Sequence, residues 1–180
     1  HAPFEVEAVD GKLMVNGKPV AFLSEKDPSA LPWKEHEIDV VIESTGLFTD
    51  YEKANAHVMA GARRVVITGP VKEDSPLGAT ILMGLDESKM GTCAITSNAS
   101  CTTNSASPVI AILDTAIGIE KAVLSTTHAY TASQSIVDGP SKKDMKEGRA
   151  AAQNIVPTST GAAIAVTKAY PSLAGRFDGI

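Results

Sequence analysis

The chain has 180 residues, 43% of them apolar and 21% charged, which is material for one large domain or parts of two and excludes a disordered chain. Sixteen Lys and Arg against 21 Asp and Glu give a net charge of -5, so nothing draws it generally to nucleic acid or an anionic membrane, and a small polar substrate is the expected partner. Asp114, Gly118 and Lys168 break the apolar runs well short of the ~20 residues that span a bilayer, so no membrane segment is expected. Cys93 and Cys101, eight apart, match neither a zinc pattern nor a Cys-x-x-Cys pair, which points to a reducing, cytoplasmic setting and no metal.

His1-Ala2-Pro3-Phe4-Glu5-Val6-Glu7 has no initiator Met and no signal-type core, and Phe177-Asp178-Gly179-Ile180 reads as an opening strand, so both ends are expected to continue. Phe4, Val6 and Ala8 alternate with acids, and Asp10-Gly11 and Asn16-Gly17 are hairpin turns, which predicts an antiparallel meander reaching Leu23. Asp27-Pro28 caps a helical turn that Pro32 stops, and Trp33 is expected to pack.

Residues 38–44 read as a buried strand ending at Thr45-Gly46. Thr49-x-x-Glu52 reads as a capping box for a helix through Met59, closed by Gly61 as a left-handed cap. Val65-Val66-Ile67 is the next strand, followed by Thr68-Gly69-Pro70. Two continuously apolar strands joined by a helix predict a parallel sheet with covered faces. Ligands bind such sheets beyond the strand ends, where Thr45-Gly46 and Thr68-Gly69 fall; the same pairs are also ordinary turn chemistry. A Gly-x-Gly-x-x-Gly loop is absent from the sequence.

A polar connection over 71–90 contains one strand-like run, Ala79-Thr80-Ile81-Leu82-Met83. Cys93-Ala94-Ile95-Thr96 reads as a short buried strand, and an apolar helix follows through Leu113. Cys101 stands at their junction, where free N–H groups and the positive end of the helix dipole favour a thiolate. It is either a nucleophile or a small buried hydrophobe among the capping residues Ser100, Thr102 and Thr103. A partner base decides between these.

Residues 121–127 predict another strand with His128 at its carboxyl end. His128 is either the base or a histidine bonded within a strand end, whereas His1, His36 and His57 are expected to be solvated. Residues 135–153 form a polar loop with Lys142, Lys143, Lys146 and Arg149, either a solvated face or a functional loop. Thr158-Ser159-Thr160-Gly161-Ala162-Ala163 opens a helix reaching Tyr170, and its start is either an N-cap or an anion site.

Ser97-Asn98-Ala99-Ser100-Cys101-Thr102-Thr103-Asn104 resembles the nucleophile motif of the phosphorylating glyceraldehyde-3-phosphate dehydrogenases. Glu43-Ser44-Thr45-Gly46-Leu47-Phe48, Thr127-His128-Ala129-Tyr130-Thr131, Val137-Asp138-Gly139-Pro140 and Ser159-Thr160-Gly161-Ala162-Ala163 resemble further motifs of that family, in its order. The resemblance implies a combined α/β and α+β chain. Residues 1–97 would be the second half of a Rossmann-like dinucleotide-binding domain, and 98–180 the first part of a catalytic domain with a mixed sheet and helices.

It also implies Cys101 as nucleophile and His128 as base, with Ser100, Thr102, Thr160 and Gly161 around the attacking phosphate and Thr131 at the substrate phosphate. Lys26, Thr45, Gly46 and Thr68 fall at the cofactor, NAD, with NADP also compatible. The implied partners are glyceraldehyde 3-phosphate, inorganic phosphate and further copies of the chain in a cytoplasmic homotetramer, whose subunits meet near the loop 129–153. Ser105 stands where many relatives carry a second cysteine, which leaves the chemistry intact. Two other readings remain at this point: a cysteine hydrolase using the same pair, and an inactive fragment acting only as a binding surface.

Overall fold

A computed structural model describes residues 3–73, 75–85, 87–141 and 144–179. The expectations attached to His1, Lys142 and Lys143 lie outside the described residues. Strands β1 (Val6–Val9), β2 (Lys12–Val15) and β3 (Lys18–Val20) form the meander, in order and antiparallel. Its two turns have positive φ at both central residues, 50° and 74° for Asp10-Gly11 and 49° and 72° for Asn16-Gly17, as the primed hairpin turns require. The third strand stops at Val20, short of the expected Leu23, and Phe22 stands in the open.

The central sheet runs β4 (Val40–Glu43), β5 (Arg64–Ile67), β7 (Ile95–Ser97) and β6 (Gly78–Thr80), all parallel. Glu43, Ile67, Ser97 and Thr80 share one level across it, so the chain segments that leave β4, β5 and β7 emerge side by side. Helix α1 (Tyr51–Met59) covers one face and packs Tyr51 and Ala54 on Val41, Val65, Ile67 and Ile95. On the other face Val40 and Ile42 are exposed, so β4 alternates instead of being covered on both sides as its apolar run predicts.

Asp50, not Thr49, caps α1: its carboxylate accepts from the Lys53 amide at 2.7 Å. The capping-box spacing is therefore off by one, because an aspartate one residue closer to the helix is the better acceptor. Gly61 closes α1 as expected, at φ 109°, with Gly61 N–H donating to Val58 and Ala62 N–H to His57, the two bonds of a Schellman cap.

Helix α2 (Cys101–Ile117) leaves the sheet four residues after β7 ends. Helix α3 (Ala162–Ala169) packs against it through Ile110, Val166 and Leu173, and β8 (Ala122–Leu124) pairs in parallel with β9 (Phe177–Gly179) beside them. Among the described residues no helix is long and apolar enough to cross a membrane.

Candidate active site

Ser97 is buried at the end of β7, and its hydroxyl donates to the Gly69 carbonyl at 2.8 Å while accepting from the Ala99 amide at 3.1 Å. Ala99 takes φ 56°, a left-handed conformation that an L residue adopts only when its surroundings enforce it. That bend turns the chain from strand to helix. Ser100 then caps α2, its Oγ accepting from the Thr103 amide at 3.1 Å and sharing a 2.7 Å hydrogen bond with the buried Thr103 hydroxyl. Cys101 follows as the first helical residue, exposed rather than packed away.

After β8 the chain runs irregularly and brings His128 back onto that first turn. Cys101 Sγ and His128 Nε2 are 3.2 Å apart. The other ring nitrogen, Nδ1, donates to the Ala129 carbonyl at 2.5 Å, which leaves Nε2 of the neutral ring as the acceptor facing the sulfur. The His128 hydrogen bond lowers the Cys101 thiol from its ordinary value, with help from the Thr102 amide and hydroxyl, against a partial burial that raises it. The Ala129 carbonyl, and then Cys101, raise His128. The two shifts run toward each other and favour thiolate beside imidazolium, an attacking sulfur next to a proton donor.

Thr45, Gly46 and Thr68 sit beyond the ends of adjacent strands β4 and β5, on the side of the sheet from which α2 departs. Thr68 Oγ1 donates to the Glu43 carbonyl at 3.2 Å, which ties the two strand ends together. Gly46 has φ 75°, and a Cβ built on it would meet no atom within 4 Å, so its outer side opens onto free space. Lys26 lies on the exposed segment before the turn at Pro28–Ala30, and the hydrogen bonds of the described residues do not tie it to these three.

Thr131 is three residues beyond His128, its hydroxyl 3.0 Å from Ser133 Oγ and its amide donating to Gln134 Oε1. Thr160 and Gly161 open α3, where Thr160 Oγ1 accepts from the Ala162 amide at 3.1 Å and Gly161 is exposed at the cap position. Ser100 and Thr102 are on the same turn as the thiol; Thr131, Thr160 and Gly161 are on other segments, with no direct bond to it among the described residues.

His57 departs from the sequence reading. It is buried, 5% exposed, and holds Glu43 and Trp33 instead of water, because α1 turns it inward onto β4. Trp33 packs as expected. Sequence pattern marks neither Glu43 nor His57 as a site residue; the one signal it carries is a carboxylate closing an otherwise apolar strand.

The family model described as the glyceraldehyde 3-phosphate dehydrogenase NAD binding domain matches residues 1–51, and that of the C-terminal domain matches residues 100–180. A cytosolic glyceraldehyde-3-phosphate dehydrogenase of Leishmania mexicana is 48% identical over 182 aligned residues, covering 100% of this chain and 54% of that protein. The cytosolic enzyme of Trypanosoma brucei brucei is 51% identical over 93% of this chain and 50% of its own length, and the Atlantibacter hermannii enzyme 47% identical over 100% and 61%. The chain thus spans about half the length of the curated relatives it matches. With a cysteine at a strand-to-helix bend, a histidine on its sulfur and both family models on either side of that bend, the chain belongs to the glyceraldehyde-3-phosphate dehydrogenase family.

Proposed function

We propose that this chain is part of an NAD-dependent phosphorylating dehydrogenase that converts glyceraldehyde 3-phosphate and inorganic phosphate to 1,3-bisphosphoglycerate in glycolysis. The 3.2 Å approach of Cys101 Sγ to His128 Nε2 at the first turn of α2 carries the reading. Residues 1–97 belong to the dinucleotide-binding domain and residues 98–180 to the catalytic domain, in a cytoplasmic homotetramer.

The Cys101 thiolate attacks the aldehyde carbon, and the His128 imidazolium gives its proton to the carbonyl oxygen, leaving a tetrahedral thiohemiacetal. NAD, when bound, supplies the hydride acceptor; Lys26, Thr45, Gly46 and Thr68 would hold it. His128, now neutral, takes the hydroxyl proton back as that carbon is oxidised to the thioester. Phosphate then attacks the thioester carbon, the imidazolium stabilises the oxyanion, and Cys101 leaves as thiolate. Ser100, Thr102, Thr160 and Gly161 receive the attacking phosphate and Thr131 that of the substrate, which the two helix starts support as anion sites.

The test is absorbance of reduced nicotinamide from the complete protein mixed with glyceraldehyde 3-phosphate and NAD, with and without inorganic phosphate. Sustained turnover only with phosphate, lost in Cys101→Ser, is expected. Ester hydrolysis in the absence of NAD, at a rate set by the same cysteine, would overturn the reading in favour of a cysteine hydrolase.

A further inference from the structure

Beneath the open Gly46 turn lies a buried polar chain that the thiol chemistry does not use. The Trp33 indole N–H, which can only donate, gives its proton to His57 Nδ1 at 3.0 Å. His57 is therefore a neutral ring with its own proton on Nε2, which donates to Glu43 Oε2 at 3.0 Å. The His57 and Glu43 side chains are 6% and 3% exposed. The second carboxylate oxygen, Oε1, accepts from the Thr45 amide at 2.8 Å and from the Thr45 hydroxyl at 2.5 Å, and Thr45 Oγ1 in turn accepts from the Leu47 amide at 3.1 Å. Burial pushes the Glu43 carboxyl up, but Thr45 and His57 outweigh it and hold it below its usual value, so it is anionic.

His57 Nε2–H, the Thr45 amide and the Thr45 hydroxyl all donate to one carboxylate, and its outer contacts fall on one turn. A buried anion is costly, and an apolar side chain would fill the same space without that cost, so core packing alone does not account for Glu43. The turn it holds is fixed from within and empty without: Thr45, Gly46 and Leu47 are exposed, and nothing lies within 4 Å of a Cβ placed on Gly46.

We propose that Glu43 is a positioning residue for the dinucleotide: braced by His57 and Trp33, its carboxylate locks the Thr45-Gly46-Leu47 turn in the conformation that offers the Gly46 backbone to the cofactor. This rests on the dinucleotide reading given under the proposed function. The lock acts before binding, so its loss weakens cofactor affinity and leaves the Cys101–His128 pair unaltered.

The direction of the hydrogen bonds makes the clamp testable. In Glu43→Gln the introduced amide can keep its carbonyl on Thr45, but its NH2 then meets the His57 Nε2–H. For His57 to accept there its proton must move to Nδ1, where Trp33 already donates. Two donors therefore face each other at one end or the other unless the indole N–H is also removed.

In the complete protein, calorimetry should give Glu43→Gln a dissociation constant for NAD roughly tenfold above the parent's. The rate of Cys101 alkylation without NAD should stay within about twofold. Trp33→Phe alone should change NAD affinity by less than about threefold, and added to Glu43→Gln it should restore most of the loss. Nitrogen chemical shifts of His57 should show the proton on Nε2 in the parent and on Nδ1 in the double variant. Unchanged NAD affinity in Glu43→Gln, or no recovery in the double variant, would overturn the proposal alone. Absence of NAD binding by the parent would overturn the dinucleotide reading and the proposal with it. Should Glu43→Gln fail to fold, Glu43→Asp decides, because it keeps the charge but draws the carboxylate back from Thr45: weakened NAD binding with parental Cys101 alkylation supports the clamp, and parental binding overturns it.

Discussion

Cys101 owes its chemistry to three neighbours: the His128 ring, the Thr102 amide and the Thr102 hydroxyl, each favouring the thiolate. His128 is held in turn by the Ala129 carbonyl, which fixes the nitrogen that faces the sulfur. The ionisation of Cys101 is lowered and that of His128 raised, so alkylation of Cys101 by iodoacetamide should rise at lower pH than alkylation of a free thiol. His128→Ala removes the largest cause of the lowering, and the rising limb should move back up in pH. The rate at neutral pH should fall by roughly tenfold, because less of the sulfur is then thiolate. An unmoved limb would mean that the helix start alone ionises the sulfur. His57, equally a histidine in the sequence, takes no part in this chemistry, because it is sealed between Trp33 and Glu43.

Helix α2 needs a firm start, since its first residue is the proposed nucleophile. Ser100 supplies it through the Thr103 amide and hydroxyl, and Ser100→Ala should cost about 1 kcal/mol in thermal or denaturant unfolding. Strand β6 is held differently. A Cβ on Gly78 would overlap the ring of Tyr51, the buried residue that packs α1 onto the sheet. Gly78→Ala should therefore destabilise by roughly 1–3 kcal/mol as an overpacking substitution, and Tyr51→Leu should relieve part of that penalty. The loop 135–153 is clasped by Asp138, whose carboxylate accepts from the Ala150 amide at 2.8 Å and from Arg149 Nε at 3.1 Å, and by Gly139 N–H on the Gly148 carbonyl. Asp138→Ala should speed proteolytic nicking of that loop while leaving the unfolding midpoint nearly unchanged, because the residues it releases are mostly exposed.

Across the whole molecule, apolar surface is distributed unevenly. Ile112 and Ile117 on α2, Val123 on β8 and Ile164 on α3 are between 66% and 79% exposed, and among the described residues β8 and β9 make a sheet of two strands. A two-stranded sheet is marginal alone, and such a surface is covered in a stable protein. The 180-residue chain expressed by itself should bind a hydrophobic dye, aggregate at micromolar concentration and show no dehydrogenase turnover. The complete protein should sediment as a tetramer and bind little dye. A monomeric, dye-free and active chain of this length would contradict that expectation.

Local chemistry was enough to determine the hairpin turns, the parallel strand–helix–strand unit, the Gly61 cap and the placement of Cys101 at a helix start, because each rests on residues close together in the chain. The motifs likewise named the family before any coordinate did. The resemblance paired Cys101 with His128, 27 residues apart, and the structure supplied their 3.2 Å approach; what needed the tertiary structure outright was the pairing of Trp33 with His57, 24 apart, and of His57 with Glu43. Periodicity says which face of a helix a histidine occupies, not whether a carboxylate waits opposite, so His57 reads as solvated until α1 is laid on β4. Burial and hydrogen-bond direction are properties of the packed chain, and those two quantities separate the histidine that faces a sulfur from the one sealed against a carboxylate.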